Sequence, residues 1–360
     1  MNVEPRMQDL RARVLARGTS GRPRRAWYRP SDLRRILLLG AVVSVAACGG
    51  DKTDATEQGT AQQSQTQAGA TGVQWTTLTF EEALQAAAKD NKMLVVDVWS
   101  ASCHQCGVMD EEVWNTPDGV RLVGDAIAIK IPSDAPESYS FRHRYPITGL
   151  PALLLLDSDG SEINRVVGYQ SKATWMVEAS ELMTGVDPIP EMEARVQANP
   201  DDLALRVALM EKYLERAREE DARILMESVL EKDPDSAQGH AEKAVRAMAR
   251  YYAFFRMDAA GAAEYWRTFV ERFPGASGLG AALKSTLDQA NATGQTAGWI
   301  EWVCGLAEQR ENDGAYNSAI AMFAYRSGLK GECLAKAAER AARAGGGAAG
   351  IDTVAVHLRS

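Results

Sequence analysis

A chain of 360 residues is too long for one small domain and suits two globular units plus tails. Hydrophobic residues make up 46%, enough for buried cores, and a formal charge of −8 excludes a general nucleic-acid binder, which needs a basic face to neutralise phosphates. Ten arginines between Arg6 and Arg35 stand against that acidic balance, an asymmetry that reads as a targeting signal.

The first predicted element is that signal, residues 1–47. Arg34-Arg35 opens an apolar run, Ile36 to Ala47, too short to span a bilayer core of roughly 20 residues but suited to a signal-peptide core of about 7–15. Val45-Ala46-Ala47-Cys48 resembles the lipobox of bacterial lipoproteins. The resemblance implies cleavage before Cys48, acylation of that cysteine and durable anchoring, since several acyl chains hold where one is marginal. An ordinary cleaved signal with Cys48 unmodified is the plainer alternative. Residues 48–73 are rich in Gln, Thr, Gly and Ala; they cannot bury enough apolar area to order themselves and read as a tether spanning roughly 25–30 Å.

Residues 74–185 alternate helix and strand. Thr79 and Glu82 form a capping box ahead of a helix to about Asp90. Met93 to Trp99, Ala126 to Ile131 and Ala152 to Leu156 are short apolar runs read as core strands. A helix should start at Cys103 and another at Pro117 after an Asn115-Thr116 cap. Asp157-Ser-Asp-Gly160 is a hairpin turn into Glu162–Val167, and a closing helix covers Lys172 to Thr184. This alternation predicts a layered α/β domain.

Residues 186–190 read as a linker, and residues 191–345 as all-helical. Tyr213, Ala222, Met226 and Pro234 stand at the offsets of the tetratricopeptide pattern; Ala262, Trp266 and Pro274 repeat the last three. Gly314, Tyr316, Ala319 and Phe323 fit a third copy, with Gly331 in place of the proline. A non-repeating helical bundle is the alternative. Residues 346–360 are expected to be a flexible tail.

The sharpest motif is Asp97-Val-Trp-Ser-Ala-Ser-Cys103-His-Gln-Cys106, where a buried strand ends and a helix begins. Cysteines three apart at a helix start can close a small disulfide loop. Unpaired N–H groups and partial positive charge at the helix N-terminus favour a thiolate at Cys103, and a protonated His104 would add to that preference. Cys106, one turn deeper, is the shielded thiol that resolves a mixed disulfide. A zinc site needs about four ligands and no second pair lies nearby, so no metal is expected. A static structural disulfide would leave the helix-start placement idle.

In these features the chain resembles the thioredoxin superfamily, above all the soluble C-terminal domain of the membrane thiol:disulfide interchange reductase. The resemblance runs from about Trp75 to Thr184. It rests on Glu81-Glu82-Ala in the first helix, Asp97-x-Trp99, the C-x-x-C, Met109-Asp-Glu-Glu-Val-Trp114, Tyr145-Pro-Ile-Thr-Gly-Leu-Pro151 and Val167-Gly-Tyr. It implies a cis-proline at Pro151 beside the active disulfide, with Gly149, Leu150, Pro151, Trp99 and His104 facing substrate. It also implies that Asp97 moves the proton of the resolving thiol. The chain departs from the pattern at Ser102, where a tryptophan usually stands, and at His104-Gln105, which replaces Gly-Pro; these bear on the substrate surface and the redox potential.

Cys304 and Cys333 fall on neighbouring predicted helices and are either a stabilising disulfide or two buried free cysteines. Tyr251, Tyr252, Phe254 and Phe255 read as repeat core. The expectation is therefore an α/β thioredoxin-like domain followed by an all-α tetratricopeptide-like domain, lipid-anchored on the periplasmic side of a bacterial envelope. It would exchange disulfides with protein substrates through Cys103 and Cys106, with no bound cofactor, a partner protein to recycle the pair and the repeats to dock proteins. The rival is a non-catalytic assembly or holdase lipoprotein whose repeats do the work.

Overall fold

The computed structural model describes residues 71–345, 348 and 350–360. The signal at 1–47, the proposed lipid attachment at Cys48 and most of the tether lie outside the described residues. Of the tether, Val73 is already fastened, its N–H donating to the Trp114 carbonyl at 2.8 Å, and three residues on the Thr76 N–H reaches Ala128 O at 2.9 Å.

The α/β part begins with helix α1, Phe80–Asp90, where the capping box is realised: Thr79 accepts from the Glu82 N–H and Glu82 accepts from the Thr79 N–H. Strand β1, Leu94–Trp99, follows, then α2, His104–Met109, which runs into a π-helical turn at Asp110–Trp114. Helix α3 is Pro117–Val123, with Thr116 as its cap, and β2 is Ile127–Pro132. A short helix not expected from the sequence, α4 at Tyr139–Arg144, precedes β3, Ala152–Leu156, and β4, Glu162–Val167; α5 is Lys172–Leu182. The sheet order is β2-β1-β3-β4, with β2 parallel to β1 and the remaining pairs antiparallel.

Each strand buries both faces, which is why these segments read as apolar runs rather than alternating ones. Leu94, Val96 and Val98 pack with Ala83, Ala87 and Phe141 of α1 and α4. Val95 packs on the opposite side with Met109, Val113, Trp114 and Trp175, from the α2 side and α5. Strand alternation therefore aims Asp97, two residues after Val95, at the layer carrying the cysteines.

The segment expected as a linker is mostly helix. Asp187 caps α6, Pro188–Ala198, its carboxylate accepting from the Ile189 N–H at 3.1 Å, and Ile189 is buried. Proline at the first helical position is a start signal rather than a spacer. Among the described residues nine further helices follow: α7 Leu203–Glu215, α8 Glu219–Lys232, α9 His240–Phe254, α10 Ala259–Arg272, α11 Leu279–Ala292, α12 Thr296–Gln309, α13 Gly314–Arg326, α14 Glu332–Arg343 and α15 Ile351–Arg359. They share one continuous core from Ile189 to Leu358. Tyr213, Ala222, Met226, Ala262 and Trp266 are all buried in it. The third set differs: Gly314, Tyr316, Ala319 and Phe323 lie within α13 alone, whereas Tyr213 and Ala222 sit on successive helices. Cys304 of α12 and Cys333 of α14 are joined as a disulfide, their Cα atoms 5.7 Å apart. Tyr251 is buried as a core residue should be, but Phe254 is 71% exposed.

The expected flexible tail is also corrected. Residues 351–359 form α15, whose Ile351, Val354, Ala355 and Leu358 are buried against α14 and the core. Their spacing of three, four and seven is the one helical pattern that a tail reading overlooks. Leu358→Ala is expected to cost about 2–5 kcal/mol, as for a fully buried leucine elsewhere; a urea midpoint equal to that of the unmodified chain would restore the tail reading.

Candidate active site

The end of β1 delivers the chain to the site. Cys103 has extended backbone and caps α2, its Sγ accepting from the Cys106 N–H at 3.2 Å, while its own N–H donates to Ser100 O at 3.1 Å. Cys103 and Cys106 are disulfide-bonded, with Cα atoms 5.3 Å apart. Cys103 is half-buried, Cys106 is buried, and His104 is exposed at the first turn of α2. One sulfur, on the less buried cysteine, is thus set on a helix N-terminus, where a thiolate is favoured. The other is reached from within the protein.

Pro151 follows a cis Leu150–Pro151 peptide. Val98 pairs with Ala152, so Pro151 stands one residue beyond the last β1–β3 pair, at the end of β1 that leads to the cysteine loop. Among the described residues, no backbone hydrogen bond uses the N–H or carbonyl of Leu150. Gly149 lets this loop close on β4: a Cβ there would stand 3.0 Å from Val167 Cγ1, tighter than side chains ordinarily pack. The Pro151 carbonyl accepts from the Gly168 N–H at 2.7 Å.

Asp97 is 1% exposed. Lys130 Nζ lies 3.2 Å from its Oδ2. Lys130 and the neighbouring Trp114 indole both act on the carboxylate, although among the described residues neither carboxylate oxygen nor the indole N–H has a hydrogen bond of ordinary geometry. Burial pushes the Asp97 carboxyl up to about 6 against the pull of Lys130. Lys130 also pairs with Asp110, and its ammonium sits 5.3 Å from the Trp75 ring centroid and 5.7 Å from that of Trp99. A carboxyl poised near neutral pH on the cysteine side of β1 can accept or return a proton there.

Sequence reasoning singled out Cys103, Cys106, Asp97, Trp99, His104, Gly149, Leu150 and Pro151, and the fold brings them around one end of β1. It missed Lys130 and Trp75. Lys130 is a strand residue whose neighbours are apolar, and that misplaced cation was the available signal; Trp75 lies before the first helix and carried none. Cys304 and Cys333 belong to the helical part and take no part in this site. Beside it, Val108, Glu111, Glu112, Tyr169 and Lys172 line an open groove of about 610 Å³, across which the Tyr169 hydroxyl donates to Glu112.

Comparisons with known proteins bear on the α/β part of the chain. Residues 80–179 match the family description of a thioredoxin-like domain. The thiol:disulfide interchange protein DsbD of Pseudoalteromonas atlantica is 24% identical over 108 residues, which are 29% of this chain and 18% of that protein. The chain therefore corresponds to under a fifth of that relative's length. Among solved structures, the reduced C-terminal domain of DsbD from Neisseria meningitidis is 21% identical, with 28% of this chain and 92% of that one covered and a TM-score of 0.25. A DsbH oxidoreductase is 17% identical, with 35% and 94% covered and a TM-score of 0.29. The α/β part of this chain is a thioredoxin-like domain, and about ten helices follow it.

The Asp97 environment gives a signed pH dependence. A carboxyl held neutral by burial lowers stability as pH rises from its ordinary 3.8, where the unfolded chain ionises, and the loss is complete above about 6. Asp97→Asn should therefore raise stability at pH 7 by up to roughly 3 kcal/mol, from about two pH units at about 1.4 kcal/mol each. Below about pH 4 the gain should vanish. Urea unfolding at both pH values measures it, and an equal gain at each would contradict the assignment.

Proposed function

We propose that the chain is a thiol–disulfide oxidoreductase of the bacterial cell envelope, lipid-anchored through Cys48 on the periplasmic side, that reduces protein disulfides with Cys103 and Cys106. The observation that carries this reading is a half-buried cysteine whose sulfur caps a helix, bonded to a buried cysteine on the same side of β1 as a buried carboxyl. In the reduced protein, the Cys103 thiolate attacks one sulfur of a substrate disulfide; that bond breaks and the first substrate thiolate leaves. Asp97 takes the Cys106 proton, and the Cys106 thiolate attacks Cys103 Sγ and releases the second substrate thiolate. The substrate gains two electrons, and a donor dithiol protein must return them to the Cys103–Cys106 disulfide. The loop at Gly149, Leu150 and Pro151 receives the substrate backbone, with Trp99 and His104 flanking the sulfur. No bound cofactor enters this cycle. The similarity to DsbD-type domains supports redox partners of the same chemical kind.

A docking role for the helical part is favoured by Phe254 and Met257, which are 71% and 80% exposed where α9 turns into α10. On the rival reading these residues hold partners and the cysteines are idle.

Trapping separates the two. Cys106→Ser should accumulate mixed disulfides through Cys103 in the envelope, seen as dithiothreitol-sensitive adducts on a non-reducing gel, and Cys103→Ser should give none. An adduct-free Cys106→Ser chain would leave only the assembly reading.

A further inference from the structure

Helix α7 ends against the α/β domain, and its last turn is completed there. The final carbonyls of a helix have no partner within it and carry partial negative charge. The carbonyl of Glu215, the last residue of α7, accepts from Arg165 Nη1 at 2.8 Å and from the Thr148 hydroxyl at 3.3 Å. Arg165 belongs to β4 and is 1% exposed, so its charge must be fully answered. Its Nε and Nη2 form a fork on the Glu162 carboxylate at 2.8 and 2.6 Å, and Nη1 also donates to the Pro146 carbonyl.

One guanidinium therefore holds three things together: strand β4, the end of α7 and the loop Tyr145–Pro151. The same loop is held to α7 a second time by Thr148. Further contacts surround the joint: Lys212 donates to the Arg165 carbonyl at 3.3 Å, and Arg216 donates to Ile163 O at 2.8 Å. Two donors, one from β4 and one from the loop, thus converge on a single helix-end carbonyl. The residues so fastened, Pro146 and Thr148, precede Leu150, whose backbone is unpaired among the described residues.

We propose that Arg165 and Thr148 are positioning residues for substrate, through which the helical region holds the loop before Pro151 in the register that a substrate backbone needs. The proposal rests on the thiol–disulfide exchange reading above. It assigns the helical region a part in the site itself, separate from any docking role. Loosening the clamp leaves Cys103, Cys106 and Asp97 where they are but lets the loop drift. The cost then falls on substrates that engage the loop and spares those that meet only the sulfur.

The test uses the full chain with Cys103 and Cys106 reduced and reads their loss by alkylation and mass. Two oxidants are compared: a disulfide-bonded octapeptide, which has a backbone to pair, and 5,5′-dithiobis(2-nitrobenzoate), which has none. Thr148→Val removes one hydroxyl at nearly constant volume. It should lower the ratio of the peptide to the small-disulfide rate constant about fivefold, the worth of one neutral hydrogen bond. Arg165→Lys keeps the charge but cannot reach Glu162, Pro146 and Glu215 together, and should lower the ratio further. If Arg165→Lys fails to fold, the Thr148→Val ratio decides alone. A ratio unchanged in Thr148→Val, whether both rates fall alike or neither falls, overturns the clamp while leaving the redox reading intact. An unmodified chain inert to both oxidants overturns the redox reading, and the clamp with it.

Discussion

Burying the Asp97 carboxyl at 1% exposure obliges everything around it to manage one charge. The parallel β1–β2 register sets Asp97 beside Lys130, which brings the ammonium to it. Lys130 is in turn shared with Asp110 at the start of the π-helical turn and flanked by Trp75 and Trp99. Burial raises the carboxyl and the cation lowers it; burial wins, which leaves a group near 6 instead of a permanent anion. A chain that placed an unanswered anion there would face a cost of several kcal/mol, and one that paired it fully would have no usable base. The position of α2 follows from the same layer, since Met109, Val113 and Trp114 pack beneath the cysteines on the Asp97 side of the sheet.

Polar and charged groups join the two halves of the molecule at the end of α7. Arg165, Arg216, Lys212, Glu162 and Asp187 meet at the end of α7, and Glu215 nearby has its carboxyl raised by burial against the opposing pull of Lys212. Such joints depend on geometry: each buried charge is stabilised by a specific partner, so sliding one domain on the other breaks several bonds at once. The helical region by contrast is held by a continuous apolar core and one disulfide between α12 and α14.

Local chemistry was legible in the sequence where one segment contains all its causes. The capping box at Thr79 and Glu82, the apolar strands and the helix start at Cys103 are of this kind, and each appears in the fold. What depended on partners distant in sequence was not legible. Lys130 finds Asp97 across 33 residues, and Arg165 finds Glu215 across 50. No periodicity encodes such meetings. The misread segments have a different origin. Asp187-Pro188 reads as a spacer although it is a helix start, and the apolar stripe from Ile351 to Leu358 is too short to stand out as a helix in a terminal segment. The third tetratricopeptide-like set fell within one helix because offsets alone do not say where a turn intervenes.

The first hydrogen bonds of the described chain have a consequence for how the protein lives beside its neighbours. In the order β2-β1-β3-β4 the outer strands are β2 and β4, and exposed outer strands are templates for unwanted pairing between molecules. The Thr76 N–H lies on β2 at Ala128, and α7 lays Lys212 and Arg216 on the β4 carbonyls of Arg165 and Ile163. Both outer strands thereby have part of their outward backbone already engaged, which leaves less of each edge to template strand addition. On the proposed function, foreign backbone is admitted at the Leu150 loop and kept off these margins.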